Sequence, residues 1–260
     1  MRVSIRRVES DGKISYQEGA GIAIVTIHRP RNKNAMTVKM WRELGEVIRG
    51  IPQNPKIRVV IVRGAKGSFT AGSDIKEFSS MSVEEADEAF QMMESTISTL
   101  ERLPLPTIAL ITGPSLGAGL ELALACDIRI GTKATKMGIP IGRLGITLSK
   151  EFVKRIVDLV GPSKMKDLVY TGRILNVKES YEWGFLNYVI EKEDPKYYAI
   201  KLADRIKKQS SASIRAVKEK VAIINPAIDV PLQSNFENSV DPKDFTEGTK
   251  AFLEKRKPNF

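Results

Sequence analysis

The 260-residue chain contains one cysteine, one histidine and two tryptophans, and it has no apolar run of membrane-spanning length. The lone Cys126 excludes an intramolecular disulfide, and one cysteine with one histidine provides no zinc cluster. Its place between a predicted helix and a predicted strand suits burial better than reactivity. A spanning helix needs about 20 consecutive apolar residues, and none is present. The opening Met1-Arg-Val-Ser-Ile-Arg-Arg-Val-Glu lacks the apolar centre of a signal peptide, so the expected location is the cytoplasm, with no membrane partner. Acids are in deficit, 31 against 41 lysines and arginines, which gives a net charge of +10. The excess is spread along the chain without a basic block or interleaved exposed aromatics, and no nucleic-acid motif appears, so a nucleic-acid partner is not expected. A basic surface would instead concentrate a small polyanionic substrate.

What remains is an ordinary globular composition, long enough for a substantial core. Alternation predicts strands over 3–8, 13–17 and 21–28. Met40, Trp41, Leu44, Val47, Ile48 and Ile51 recur at helical spacing, and the continuous apolar run 57–63 reads as a buried strand. Ser82 with Glu85 forms a capping box for a helix reaching about Arg102, which Pro104 and Pro106 end. Strands follow over 107–112 and 128–132, then a glycine-rich irregular span over 131–148. Beyond it the pattern predicts helices over 149–160, 162–170 and 177–183 and a strand over 186–190. From Asp194 the pattern is helical, including Phe236. The alternation of strand, loop and helix predicts an α/β fold. A composition shift at Glu191-Lys-Glu-Asp-Pro195 suggests a core over 1–191 and a helical C-terminal region over 192–260.

The chain is organised around Gly113-Pro-Ser-Leu-Gly-Ala-Gly-Leu-Glu-Leu-Ala-Leu-Ala-Cys-Asp127, which reads as a glycine turn and short helix between two strands. Glycine lets backbone approach a ligand closely, and the helix start offers unpaired N–H groups and partial positive charge. Glu121 sits in that first turn. The G-x-x-x-G-x-G spacing departs from the dinucleotide fingerprint G-x-G-x-x-G, which excludes a Rossmann site.

These residues also resemble the signature of the crotonase family, the enoyl-CoA hydratases and isomerases. His28-Arg-Pro with Asn34-Ala-Met, Phe69-Thr-Ala-Gly-Ser-Asp-Ile, and Glu247-Gly-Thr-Lys-Ala-Phe-Leu-Glu-Lys-Arg-Lys-Pro-Asn-Phe260 extend the likeness in family order over nearly the whole chain. The resemblance implies a spiral of ββα units, a helical C-terminal region used for trimerisation, and a homo-oligomer that is a trimer or a dimer of trimers. It implies an acyl-CoA thioester substrate, with coenzyme A as part of that substrate and no other cofactor or metal.

By the same resemblance the backbone N–H groups of Ala71 and Ala118 form an oxyanion hole for the enolate, and Glu121 is an acid/base. Gly72, Ser73, Ile75 and Gly117 complete the two loops around them, with Asp74 as a loop-forming or capping residue. Arg29, Lys33, Asn34 and Ala35 line the coenzyme A nucleotide region. Phe252 and Lys255 match residues that reach the coenzyme A of a neighbouring subunit. Family hydratases carry a second glutamate after a Gly-x-Pro, but Met137-Gly-Ile-Pro-Ile141 places isoleucine there. Isoleucine moves no proton, so Ile141 can only line the substrate. Arg143, Lys150, Glu77 and Glu151 are the nearby ionisable alternatives. The main expectation is hydration of a 2-enoyl-CoA by one glutamate. Isomerisation, decarboxylation and thioester hydrolysis are the alternative reactions, and a non-catalytic acyl-CoA-binding homologue is the alternative of another class.

Overall fold

The computed structural model describes residues 12–224, 242–256 and 258. The strand expected over 3–8 and the helical position of Phe236 lie outside them. β1 (Lys13–Gly19) and β2 (Ile22–His28) pair antiparallel. The chain reverses between them at Ala20 and Gly21, both with positive φ, the geometry that matches strand twist in a tight hairpin. β2 continues in parallel to β3 (Val59–Gly64), β4 (Thr107–Ile111), β6 (Ile128–Thr132) and β9 (Tyr188–Ile190), giving a six-stranded sheet in the order β1-β2-β3-β4-β6-β9. The apolar runs of β3 and β4 are continuous because both of their faces are covered.

On one face, Ile22, Val59, Ile61, Ile108, Leu110 and Ile130 meet Ala199, Leu202 and Ala203 of α8 (Pro195–Ile206). The first helix of the C-terminal region expected from 192 thus packs as a layer on this face of the sheet. Alternate residues Ala23, Val25, Val60, Val62 and Ala109 face the larger cluster beneath α1 (Val38–Gly50), α3 (Val83–Glu101) and α4 (Ala118–Leu124). Trp41 and Leu44 of α1 and Ile97 of α3 are fully buried there.

A second, three-stranded sheet was not foreseen. β5 (Pro114–Leu116), β7 (Lys136–Gly138) and β8 (Ile174–Leu175) pair in the order β5-β7-β8. β5 follows β4 and β7 follows β6, so the chain leaves the large sheet and at once joins the small one. Isolated bridges between Thr70 and Ser115 and between Met36 and Ser73 repeat this step after β3 and β2. The result is the expected crotonase-like α/β spiral of ββα turns. α2 (Ile75–Phe78), α5 (Lys150–Val160), α6 (Pro162–Thr171), α7 (Val177–Glu182), α9 (Ser211–Ile224) and α10 (Pro242–Leu253) complete the described residues. The capping boxes at Ser82/Glu85 and Asn176/Glu179 are both formed.

Candidate active site

A cavity of about 600 Å³ lies where the loop after β3 meets the start of α4, roofed by α3, α5 and α10. Two glycines make this junction possible. A Cβ on Gly119 would lie 2.3 Å from the Thr70 carbonyl oxygen, and one on Gly72, whose φ is +95°, would lie 2.7 Å from that of Leu116. Only bare backbone lets the two loops approach this closely. Thr70 Oγ1 adds a tie, donating to the Asn34 carbonyl at 2.7 Å and accepting from the Gly72 N–H at 3.1 Å.

Ala71, Gly72, Ser73, Asp74, Ile75, Gly117, Ala118 and Glu121 all line the cavity, as do Lys33, Ala35, Ile141 and Phe252. Ala118 is the first residue of α4, so its N–H has no intrahelical partner. The Ala71 N–H, in contrast, donates to the Lys33 carbonyl at 3.0 Å. Both N–H groups thus belong to residues of the cavity lining, but that of Ala71 is engaged.

Arg29, expected in the coenzyme A nucleotide region, is not among the residues that line the cavity. Its guanidinium Nη1 meets Asp74 Oδ2 at 2.6 Å and the Ala35 carbonyl at 3.2 Å, so its charge ties two loops together away from the cavity lining. Asp74 also caps α2, accepting from the Lys76 N–H at 3.0 Å. Asn34 is likewise structural, fully buried and bonded to the Arg29 N–H and to the carbonyls of Ala65 and Ser68. Lys255 is exposed and does not line the cavity, while Phe252 of α10 lines that of its own chain. His28 is off the lining too, and burial, with Lys13 and Lys66 nearby, lowers its pKa. Burial pushes the Cys126 thiol up to about 12, with Asp127 adding to the effect. Among the described residues, no group of three His, Cys, Asp or Glu side chains could hold a metal ion. No helix among them is long and apolar enough to cross a membrane.

The opposite wall holds what sequence reasoning missed. Glu94 of α3 lines the cavity with Phe90 and Met93, and Arg155 of α5 reaches in behind it. Arg155 Nη1 lies 2.9 Å from Glu121 Oε1 and 3.2 Å from Glu94 Oε2, so one nitrogen bridges both carboxyl groups. Arg155 Nη2 lies 2.8 Å from both Glu94 Oε1 and Glu101 Oε2. Ser98 and Ser149 each donate to Glu94 at 2.8 Å. Glu121 is 1% exposed. Burial first, then the hydrogen bond and charge of Glu94, raise its pKa well above the ordinary range, and Arg155 only partly offsets this. Burial acts to raise Glu94 as well, but its hydrogen bonds from Glu121 and Arg155 and the guanidinium charge prevail and hold it at about 2. The two carboxyl groups are pushed in opposite directions, Glu121 upward and Glu94 downward, the separation that acid–base chemistry uses.

Of the alternatives to residue 141, only Arg143 lines the cavity. Glu77 accepts from the Val38 N–H at 2.9 Å. Arg31, Lys33, Lys76 and Arg143 place exposed positive charge on the cavity lining, and of these Arg31 and Lys76 had not been singled out.

Two backbone loops and a buried carboxyl converging on one cavity of a ββα spiral define a crotonase-type enzyme scaffold. The chain belongs to the enoyl-CoA hydratase/isomerase family, whose model matches residues 17–260. It is 32% identical over 247 residues to a crotonyl-CoA hydratase from Syntrophomonas wolfei, covering 92% of this chain and 94% of that one. It is also 32% identical over 256 residues to the human mitochondrial methylglutaconyl-CoA hydratase, covering 94% of this chain and 75% of the relative. Among solved structures, an enoyl-CoA hydratase/carnithine racemase from Magnetospirillum magneticum aligns with a TM-score of 0.79 at 33% identity, covering 95% and 94% of the two chains.

Proposed function

We propose that the protein hydrates a 2-enoyl-CoA, with Glu121 as an acid/base beside an oxyanion hole made by the N–H groups of Ala71 and Ala118. The observation that carries this reading is the buried Glu121 carboxyl, raised well above the ordinary carboxylate range, on the wall of a cavity that the start of α4 also lines. Hydration puts negative charge on the thioester oxygen as an enolate, and donors aimed at that oxygen stabilise the transition state. The Ala118 N–H needs no rearrangement. Ala71 would exchange the neutral Lys33 carbonyl for an enolate oxygen, and a charge-assisted hydrogen bond is about twice as strong as a neutral one. The exchange therefore favours the transition state over the ground state. Glu121 delivers its proton to the α carbon as water adds at the β carbon, and the proton that water loses restores Glu121. Arg31, Lys33, Lys76 and Arg143 would attract the phosphates of coenzyme A, and Ile75, Ile141, Leu144 and Phe252 offer apolar contact. Assembly as a trimer or a dimer of trimers in the cytoplasm belongs to the same proposal, as do Phe252 and Lys255 as coenzyme A contacts.

The test follows the loss of conjugated-thioester absorbance from crotonyl-CoA, in the native protein and in Glu121→Gln, with thioester binding measured separately. Removing a general acid should lower kcat by about 10²–10⁴-fold. Turnover that survives unchanged in the variant would dismiss Glu121 from this role. Ile141 favours one second reading, double-bond isomerisation by a single acid/base. Tight binding without hydration, together with migration of the double bond in a 3-enoyl-CoA, would establish it.

A further inference from the structure

We infer that Glu94, on α3, is the second carboxyl of the acid–base pair and shares one proton with Glu121, doing from a helix what Ile141 cannot do from its loop. This rests on the hydration reading and adds a catalytic residue to it.

The geometry separates Glu94 from a purely structural ion pair. A structural partner for Arg155 has no reason to line the cavity, and Glu101, which also binds Arg155, does not. Glu94 lines it, as does Glu121, and the same guanidinium nitrogen holds an oxygen of each. The side chain is 17% exposed, shielded but reachable by a bound water. Its position on α3 brings Phe90 and Met93 along as apolar wall.

The steps balance. The Glu94 carboxylate takes a proton from water while the water oxygen bonds to the β carbon. The π electrons move through the α carbon to the thioester oxygen, forming the enolate. The enolate returns its electron pair to the α carbon, which takes the proton of Glu121. Glu94 is then protonated and Glu121 ionised. Transfer of one proton across the hydrogen bond between them restores the starting state. Arg155 is a positioning residue, fixing both carboxyl groups without exchanging a proton.

The pair predicts a pH profile. Activity requires ionised Glu94 and protonated Glu121, so the rate should hold from acid upward and fall as Glu121 loses its proton. The groups around the pair are Ser98 and Glu101 on α3, Ser149 and Arg155 at α5, and, on the cavity lining, Arg31, Lys33, Asp74, Lys76 and Arg143. Burial would still raise Glu121 in Glu94→Gln, but the two contributions of Glu94 would be lost and that of Arg155 would still lower it. The alkaline limb should therefore move to lower pH.

The experiment compares native protein, Glu94→Gln and Glu94→Asp with crotonyl-CoA across the pH range over which each stays folded. It also measures exchange of the α hydrogens of butyryl-CoA in deuterium oxide. Glu94→Gln should lower kcat by about 10²–10⁴-fold with KM within a few-fold, and shift the alkaline limb downward. Glu94→Asp should recover part of kcat, and it keeps the test decisive if the glutamine variant does not fold. A Glu94→Gln enzyme with native kcat, or one with lower kcat but an unmoved limb, would overturn the inference. If the native protein does not hydrate, the functional reading fails separately. The pair is then judged by α-hydrogen exchange, which requires ionised Glu121: the pH at which exchange sets in should move downward in Glu94→Gln, and an unmoved onset overturns the inference.

Discussion

Residues 71–74, Gly117 and Ala118 line the cavity on two loops held by close steric contact between small residues. Across from them, Glu94, Ser149 and Arg155 present side chains held by charge and hydrogen bonds. Glu121 belongs to both walls, carried by α4 and gripped by Arg155. The difference decides how each wall fails. A backbone wall tolerates a change of charge but not of volume, while a charged wall tolerates volume but not the loss of one partner.

Removing the cation of the charged wall should have the largest effect. Arg155→Met keeps the length of the side chain and leaves Glu94, Glu101 and Glu121 facing one another without a counter-charge. Breaking a buried ion pair from one side costs about 3–5 kcal/mol, so chemical denaturation should show a loss of that size. The loss should lessen at low pH, where Glu94 is no longer obliged to ionise. A loss below about 1 kcal/mol, typical of exposed pairs, would show that the network is no more than a surface bridge.

The matching insult to the backbone wall is Gly119→Ala. The added Cβ would sit 2.3 Å from the Thr70 carbonyl oxygen, so the loop after β3 and the start of α4 must separate. Overpacking of this kind costs about 1–3 kcal/mol. Its functional effect should exceed its structural one, because separation moves the N–H groups of Ala71 and Ala118 apart. A variant with crotonyl-CoA kcat within twofold of native would show that this spacing does not set the rate.

The two walls also differ in how far they could be read beforehand. The backbone wall is local, with Gly117, Ala118, Gly119 and Glu121 in one stretch and Thr70 to Asp74 in another, and small residues at close spacing signal it directly. The second sheet escaped because β5, β7 and β8 are two or three residues each, too short for alternation to register. Glu94 and Arg155 were out of reach for another reason: 61 residues separate them, and their meeting depends on how α3 packs near α5. A trace of them was nonetheless present. Glu94 lies four residues after Phe90 and three before Ile97, on the buried stripe of α3, and Arg155 lies three after Phe152 on that of α5. A charge inside an apolar stripe is the signal. Helical periodicity cannot say whether such a charge meets a partner or a cavity, and here it meets both.

Ser149 joins the charged wall to ordinary helix chemistry, and its removal gives the smallest and most discriminating effect. Its hydroxyl accepts from the Phe152 N–H at 3.0 Å, capping α5, and donates to Glu94 Oε2 at 2.8 Å. Ser149→Ala deletes both bonds, and loss of a cap alone costs about 1 kcal/mol. The second contribution depends on pH. Glu94 is lowered in the folded protein from 4.5 to about 2, so the stability it confers is complete above 4.5 and is lost as pH falls toward 2. Ser149 is among the causes of that lowering. The difference in stability between native protein and Ser149→Ala should therefore be largest at neutral pH and shrink across that window to the cap alone. A constant difference would mean that Ser149 acts only on the helix, leaving Arg155 and Glu121 to hold Glu94 ionised.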